Sequence, residues 1–303
     1  MLEVFLTVII PTFLVAGAGA VMQRWRGLTV GAMGPLAIYL LSPALVLNGL
    51  LTTELPAEMS RRIVAASVAT LIAAVGVSFA VSAALRHTRP LQSGFTLATA
   101  FSNSGNMGIP ISFLAFGEDG LSVAIIIFVA QASASWPIAI FVAARGRSAG
   151  WGPLLTSLTV PSIYVVPVAV GIRWADWTLP LALGTPIELL AAAAIPVMLL
   201  VLGFRLAEGL DLERWRSLGV SVVLRLFGAA ALALGVTELL GLDGVAQQTV
   251  IVVAAMPTAV FTTILASEYD AEPRFVTTSV VASTLLSIAT LTVLISLVQR
   301  TLD

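Results

Sequence analysis

The stretch Phe101-Ser-Asn-Ser-Gly-Asn-Met-Gly-Ile-Pro110 interrupts an apolar run over residues 91–116 that is otherwise long enough to cross a bilayer. It puts Ser102, Asn103, Ser104 and Asn106, together with Gly105, Gly108 and Pro110, at the depth of the hydrocarbon. Glycine and proline weaken a helix by roughly 1 and 3 kcal/mol relative to alanine. Backbone groups freed by such residues cannot be left facing lipid, so the stretch is expected to line a cavity enclosed by protein. A simple kink, with polar side chains bonded to neighbouring helices, accounts for one asparagine. Two asparagines, two serines, two glycines and a proline so close together favour a broken helix.

The rest of the chain reads as membrane protein. Of 303 residues, 58% are hydrophobic and 10% charged, with a mean hydropathy of +1.03. Soluble domains carry about a quarter of their residues as charges, so this chain could not cover a water-facing surface. All 15 basic residues are arginine, and the net charge of −1 leaves no footprint for nucleic acid. The absence of cysteine excludes disulfides and thiol chemistry. The single histidine, His87, stands between Arg86 and Arg89, which argues against a metal site. No cofactor is expected, although sodium or protons could serve as a coupling ion.

Ten apolar runs are expected to span the membrane: 4–22, 30–51, 63–85, 91–116, 121–144, 154–172, 181–204, 218–240, 245–266 and 275–298. The first carries Glu3 and has no basic segment before it, and it reads as a span rather than a cleaved leader. With both termini outside, the inner loops hold ten arginines and the outer loops four. That bias satisfies the positive-inside rule for a multi-pass protein of the cell inner membrane. Trp25, Trp151, Trp174, Trp177 and Trp215 fall at the expected interfaces, where indoles prefer to sit.

The chain divides into two halves, residues 1–145 and 153–303, of five spans each. Pro43 and Pro110 are 67 residues apart in the first, and Pro196 and Pro257 are 61 apart in the second. Five spans per half force the second to enter the membrane inverted, a pattern of secondary transporters. Pro257 with Thr258, Thr262 and Thr263 gives span nine a break at the place equivalent to Pro110. Half-helices beginning near Pro110 and Thr258 would bring unpaired amides and partial positive charge to the midplane, a setting for an anion. Asn103 and Asn106 would add neutral donors. Arg225 is the one basic residue well inside a span, and such a charge is functional by default. It either pairs with an anionic substrate or neutralises the carbonyl ends of the broken helices. Gln131, Ser133 and Ser135 in span five could meet Asn103 around a cation, or could simply be a small-residue packing surface.

These residues resemble the auxin efflux carrier family, whose bacterial members include malate or malonate permeases. The likeness covers nearly the whole chain: Pro11 with Gly17 and Gly19, Ser42-Pro-Ala-Leu45, Asn103-Ser-Gly-Asn-Met-Gly-Ile-Pro110, Ile195-Pro196 with Gly203, and Met256-Pro257. The resemblance implies an all-α fold of ten helices in two inverted five-helix repeats, with broken helices four and nine crossed. It implies a scaffold of spans one, two, six and seven, often dimeric, and a mobile domain of spans three to five and eight to ten. It also implies elevator-like movement of an organic anion, with Asn103 and Asn106 at the substrate-contacting crossover. The loop over 144–153 is shorter than the hydrophilic insert of many plant members, and span nine lacks the acidic residue of sodium-coupled relatives.

The expected function is a secondary carrier of a small organic anion such as a carboxylate. An intramembrane enzyme would need a nucleophile–base pair or metal ligands, and the spans hold neither histidine nor cysteine. A cation/proton antiporter and a non-transporting receptor of the same fold are the alternatives. Missing buried carboxylates weigh against the first, and the lack of a signalling domain against the second.

Overall fold

A computed structural model describes residues 2–27, 33, 36–52, 55–145, 161–206 and 213–301. The loop residues Glu54, Arg147, Trp151 and Glu208 and the start of span six lie outside them. Among the described residues the chain is helical, with a single isolated backbone bridge and no strand.

Among the described residues six helices are long and apolar enough to cross a membrane: Leu2–Arg26, Ala57–Ala84, Ser104–Ala144, Leu181–Phe204, Trp215–Leu239 and Pro273–Thr301. In chain order, α1 is Leu2–Arg26 and α2 is Ser42–Thr52. Next come α3, Ala57–Ala84, and α4, Arg89–Ala100. The run Ser104–Ala144 bends at Gly117, whose φ of 66° and ψ of −151° lie outside helical space, giving α5 over 104–116 and α6 over 118–144. Then follow α7, Pro161–Trp174, α8, Leu181–Leu206, and α9, Trp215–Leu239. The last three are α10, Gly244–Ala254, α11, Phe261–Glu268, and α12, Pro273–Thr301.

Prolines shape three of these helices in the same way. The wide five-residue turns Phe5–Ile9, Ala37–Leu41 and Ser104–Gly108 each end two residues before a proline, at Pro11, Pro43 and Pro110. A proline ring crowds the preceding turn and offers no amide, and a wider turn relieves both problems. The fourth wide turn, Leu224–Gly228, contains no proline; it holds Arg225.

Helices α1, α2, α7 and α8 lie against one another, with α8 on α1 and α2, and α2 on α7. The α1–α8 contact is backbone on backbone. A Cβ on Gly203 would stand 1.8 Å from the Ala16 carbonyl oxygen, and one on Gly19 would stand 2.4 Å from that of Leu200. Glycine is therefore required at both places, as in small-residue packing between membrane helices. The other helices gather around α4, α5, α10 and α11. The buried apolar residues form two clusters. Ala254, Ala255 and Met256 belong to the first and Phe101 and Ala259 to the second, so the breaks after α4 and α10 lie at the seam between them.

Contacts between distant turns fix the helix directions. His87, after α3, bonds Ser217 at the start of α9, at 3.0 Å. Arg62, near the start of α3, donates to Gly241 after α9, at 3.3 Å. Helices α3 and α9 are thus antiparallel. Arg214 pairs with Glu272 at 2.9 Å, and Arg173 at the end of α7 reaches Leu50 of α2 at 2.9 Å. The outer surface carries Leu14, Phe141, Val170, Leu189 and Phe227, each more than half exposed, an apolar face that requires lipid.

Candidate functional site at the helix crossing

The two interrupted stretches meet. Helix α4 ends at Ala100 and the chain runs extended through Phe101, with φ −99° and ψ 113°. There it pairs antiparallel with the segment after α10, Ser102 opposite Thr258. The Asn103 amide donates to the Pro257 carbonyl at 2.8 Å, and the Ala259 amide donates to the Phe101 carbonyl at 2.9 Å. Pro257 contributes its carbonyl, the one backbone hydrogen-bonding group it retains. Two breaks buried in hydrocarbon thus satisfy each other, which neither could do alone.

Four helix ends converge here, and they differ. The carbonyl ends of α4 and α10 are held by Arg225. Its guanidinium donates to the Thr99 carbonyl at 2.9 Å and, through the other terminal nitrogen, to the Ala254 carbonyl in a very short contact. The side chain is 2% exposed and faces partial negative charge from both ends. Two roles were open for Arg225, and its terminal nitrogens sit on backbone carbonyls.

The amide ends begin at Ser104, six residues before the start expected at Pro110, and at Phe261, three residues after Thr258. Pro110 is carried inside the helix because the wide turn Ser104–Gly108 precedes it. At the start of α11 the amides of Thr262 and Thr263 already reach the Ala259 and Val260 carbonyls, at 3.2 and 3.1 Å. At the start of α5, Asn103 supplies no side-chain cap. Its Nδ2 is buried without a partner, in a residue that is 5% exposed. The crossing therefore presents one open amide end and beside it a free carboxamide donor, where the sequence suggested two equivalent ends.

The remaining residues singled out from sequence fall as follows. Ser104, Gly108, Pro110 and Pro257 are buried at the crossing; Gly105 and Asn106 are partly exposed, with Phe128 of α6 covering Gly105. Thr258 is 1% exposed; its hydroxyl donates to Ala98 at 2.6 Å, and its amide donates to Ser283 Oγ at 3.1 Å. Gln131 reaches the crossing, with Oε1 accepting from Ser102 Oγ at 3.1 Å. Ser135 is buried, whereas Ser133 is exposed and bonds its own helix at Val129, 2.9 Å away. The structure does not bring Ser133 to Asn103. Ser283 escaped the sequence reading, yet Ser279, Ser283 and Ser287 are fully buried at four-residue spacing along α12, a periodicity that could have marked that face. Among the described residues no cluster of His, Cys, Asp or Glu could hold a metal ion.

The chain is similar in sequence to known transport proteins. The family described as membrane transport protein matches residues 4–150 and 154–295. The "Putative malonate transporter" of Rhizobium meliloti is 27% identical over 290 residues, 90% of this chain and 88% of its own length. An "Uncharacterized transporter" of Methanothermobacter thermautotrophicus is 27% identical over 206 residues, 65% of each chain. Another, from Methanocaldococcus jannaschii, is 24% identical over 206 residues, 64% of this chain. The chain thus spans about two thirds of the length of each archaeal relative, 65% in both.

Proposed function

This chain belongs to the membrane transport protein family, that of the auxin efflux carriers, and we propose that within it the chain is a secondary carrier of a small organic anion. The observation that carries the reading is the unpartnered, buried Asn103 carboxamide beside the uncapped start of α5. The Ser104 amide is held by the Ser102 carbonyl at 2.9 Å, so a carboxylate oxygen set there would accept from Nδ2 and from the α5 amides that follow Ser104, in the field of a helix N-terminus. Asn106 and Gly105, partly exposed, form the approach. Arg225, with its terminal nitrogens on backbone carbonyls, acts by keeping α4 and α10 end to end rather than by pairing with substrate. The relative from Rhizobium meliloti makes malonate the first anion to test.

The path of movement extends the same proposal. The bonds at the crossing tie α4, α6, α9, α10 and α12 together through Thr99, Gln131, Arg225, Ala254 and Ser283. The start of α5 also rests on α8, which belongs to the layer of α1, α2 and α7. A substrate at Asn103 therefore lies where a cross-linked unit meets the layer of α1, α2, α7 and α8, as an elevator step would require. The antiparallel α3 and α9 support two inverted halves, and the arginine bias of the loops supports both termini outside.

The test is uptake into proteoliposomes, and ligand-dependent melting, with malonate, malate, acetate and indole acetate, with and without sodium and proton gradients. Asn103→Ala is expected to weaken binding about tenfold or more, the loss of one hydrogen bond to a charged ligand. It leaves melting nearly unchanged, because Nδ2 has no protein partner to lose. Equal loss of binding and stability would assign Asn103 to the fold instead. Flux driven by sodium or pH alone, with no anion bound, would remove the organic-anion assignment.

A further inference from the structure

A second feature lies away from the crossing, toward the N-terminal end of α4. Between α3, α4 and α6 there is a cavity of about 620 Å³. Its walls are largely apolar, built from Ile72 and Phe79 on one side and Ile138 and Phe141 on the other, with Gln92 at one end. Ile72 and Phe141 are 57% and 64% exposed, so the cavity opens sideways onto the lipid-facing surface. Arg89 and Arg145 also line it. The Arg145 guanidinium lies 4.6 Å over the Phe79 ring, which fixes it at the wall. No carboxylate pairs with Arg89 or Arg145 among the described residues.

We propose that this cavity binds an acidic phospholipid, with the phosphate between Arg89 and Arg145 and the first acyl carbons along Ile72, Phe79 and Phe141. The charge argument is direct. Two guanidiniums with no counter-ion among the described residues face a cavity at the arginine-rich end of the bundle, and a planar guanidinium matches phosphate oxygens bidentately. Basic pockets between membrane helices select anionic headgroups over zwitterionic ones. The apolar walls separate a lipid from a free phosphoanion. A small hydrophilic anion would occupy only the arginine end and leave the apolar walls at Phe79 and Ile138 against an unfilled or wet cavity, whereas an acyl chain entering from the bilayer covers them. The opening toward the bilayer gives a lipid its entry path.

The experiment measures lipid retained by purified protein in nanodiscs of phosphatidylcholine containing phosphatidylglycerol, read by native mass spectrometry. Wild type is expected to retain phosphatidylglycerol preferentially, and R89Q/R145Q to lose that preference by about fivefold or more. Gly76→Leu provides a variant without charge change. Gly76 lines the cavity and an added Cβ there meets no atom within 4 Å, so the new side chain fills the space and leaves the fold intact. It too is expected to lose the lipid. Equal retention of the two lipids by wild type, or wild-type retention in either variant, overturns the proposal. Displacement of the lipid by millimolar glycerol 1-phosphate overturns the lipid assignment and leaves a site for free phosphoanions.

Discussion

Replacing Arg225 separates two roles that one buried arginine can have. In Arg225→Met the side chain keeps most of its length and apolar stem but loses both donors, to Thr99 and Ala254. Hydrogen bonds involving a charged group contribute about 1.5–3 kcal/mol each, so the crossing should lose roughly 3–6 kcal/mol. Relaxation toward water cannot recover this, because the site is buried and the two carbonyls keep their desolvation cost. For chains of 150–250 residues each kcal/mol moves the melting temperature by roughly 2–4 °C, and a longer chain by less. A fall of about 5–10 °C is therefore expected. Arg225→Lys keeps the charge, but a single ammonium lacks the fork that spans both helix ends, and an intermediate fall is expected. The assay is intrinsic tryptophan fluorescence during heating in detergent, run beside malonate uptake in proteoliposomes. A substrate-pairing arginine predicts the opposite pattern, with melting unchanged and uptake lost. Wild-type melting in Arg225→Met would refute the structural role of this side chain.

Two further outcomes follow from particular contacts. Gly203→Val should fail to fold, because its Cβ would stand 1.8 Å from the Ala16 carbonyl and neither backbone can move without separating α1 from α8; expression and size-exclusion profiles check this. His87 is held below its ordinary pKa, first by burial and then by the nearby Arg214 charge. Folding thus favours its neutral ring, bonded to Ser82 and Ser217. Because the folded value is the lower one, this stability is complete above about pH 6.5 and is lost as pH falls through the folded value. Melting of wild type from pH 8 to pH 5 should decline more steeply than that of His87→Gln, and parallel curves would show that His87 does not contribute.

Much of the crossing was legible residue by residue. The break between α4 and α5 falls at residues 101–103, inside the segment the sequence marked, although Gly105, Gly108 and Pro110 are themselves carried within α5. The break in span nine was legible only through its counterpart, since one proline followed by threonines also describes an ordinary kink. Where the half-helix begins was not legible. A rule that starts helices at proline chose Pro110, but the wide turn Ser104–Gly108 let the helix begin six residues earlier. The unequal amide ends were equally hidden, because the acceptors at the start of α11 are backbone carbonyls that any sequence would have offered.

By itself the sequence determined the solvent, the family motifs and the places where membrane helices cannot continue. Those follow from transfer energies and backbone constraints that attach to each residue and its near neighbours. Only the tertiary structure decided which broken end meets which. It paired Phe101 with Ala259, turned Ser133 outward, and brought Arg225 to Thr99, 126 residues away. No local rule carries that information. A buried polar group is satisfied by whichever partner folding delivers to it, and at this crossing folding delivered none, among the described residues, to Asn103 Nδ2 or to Arg225 Nε.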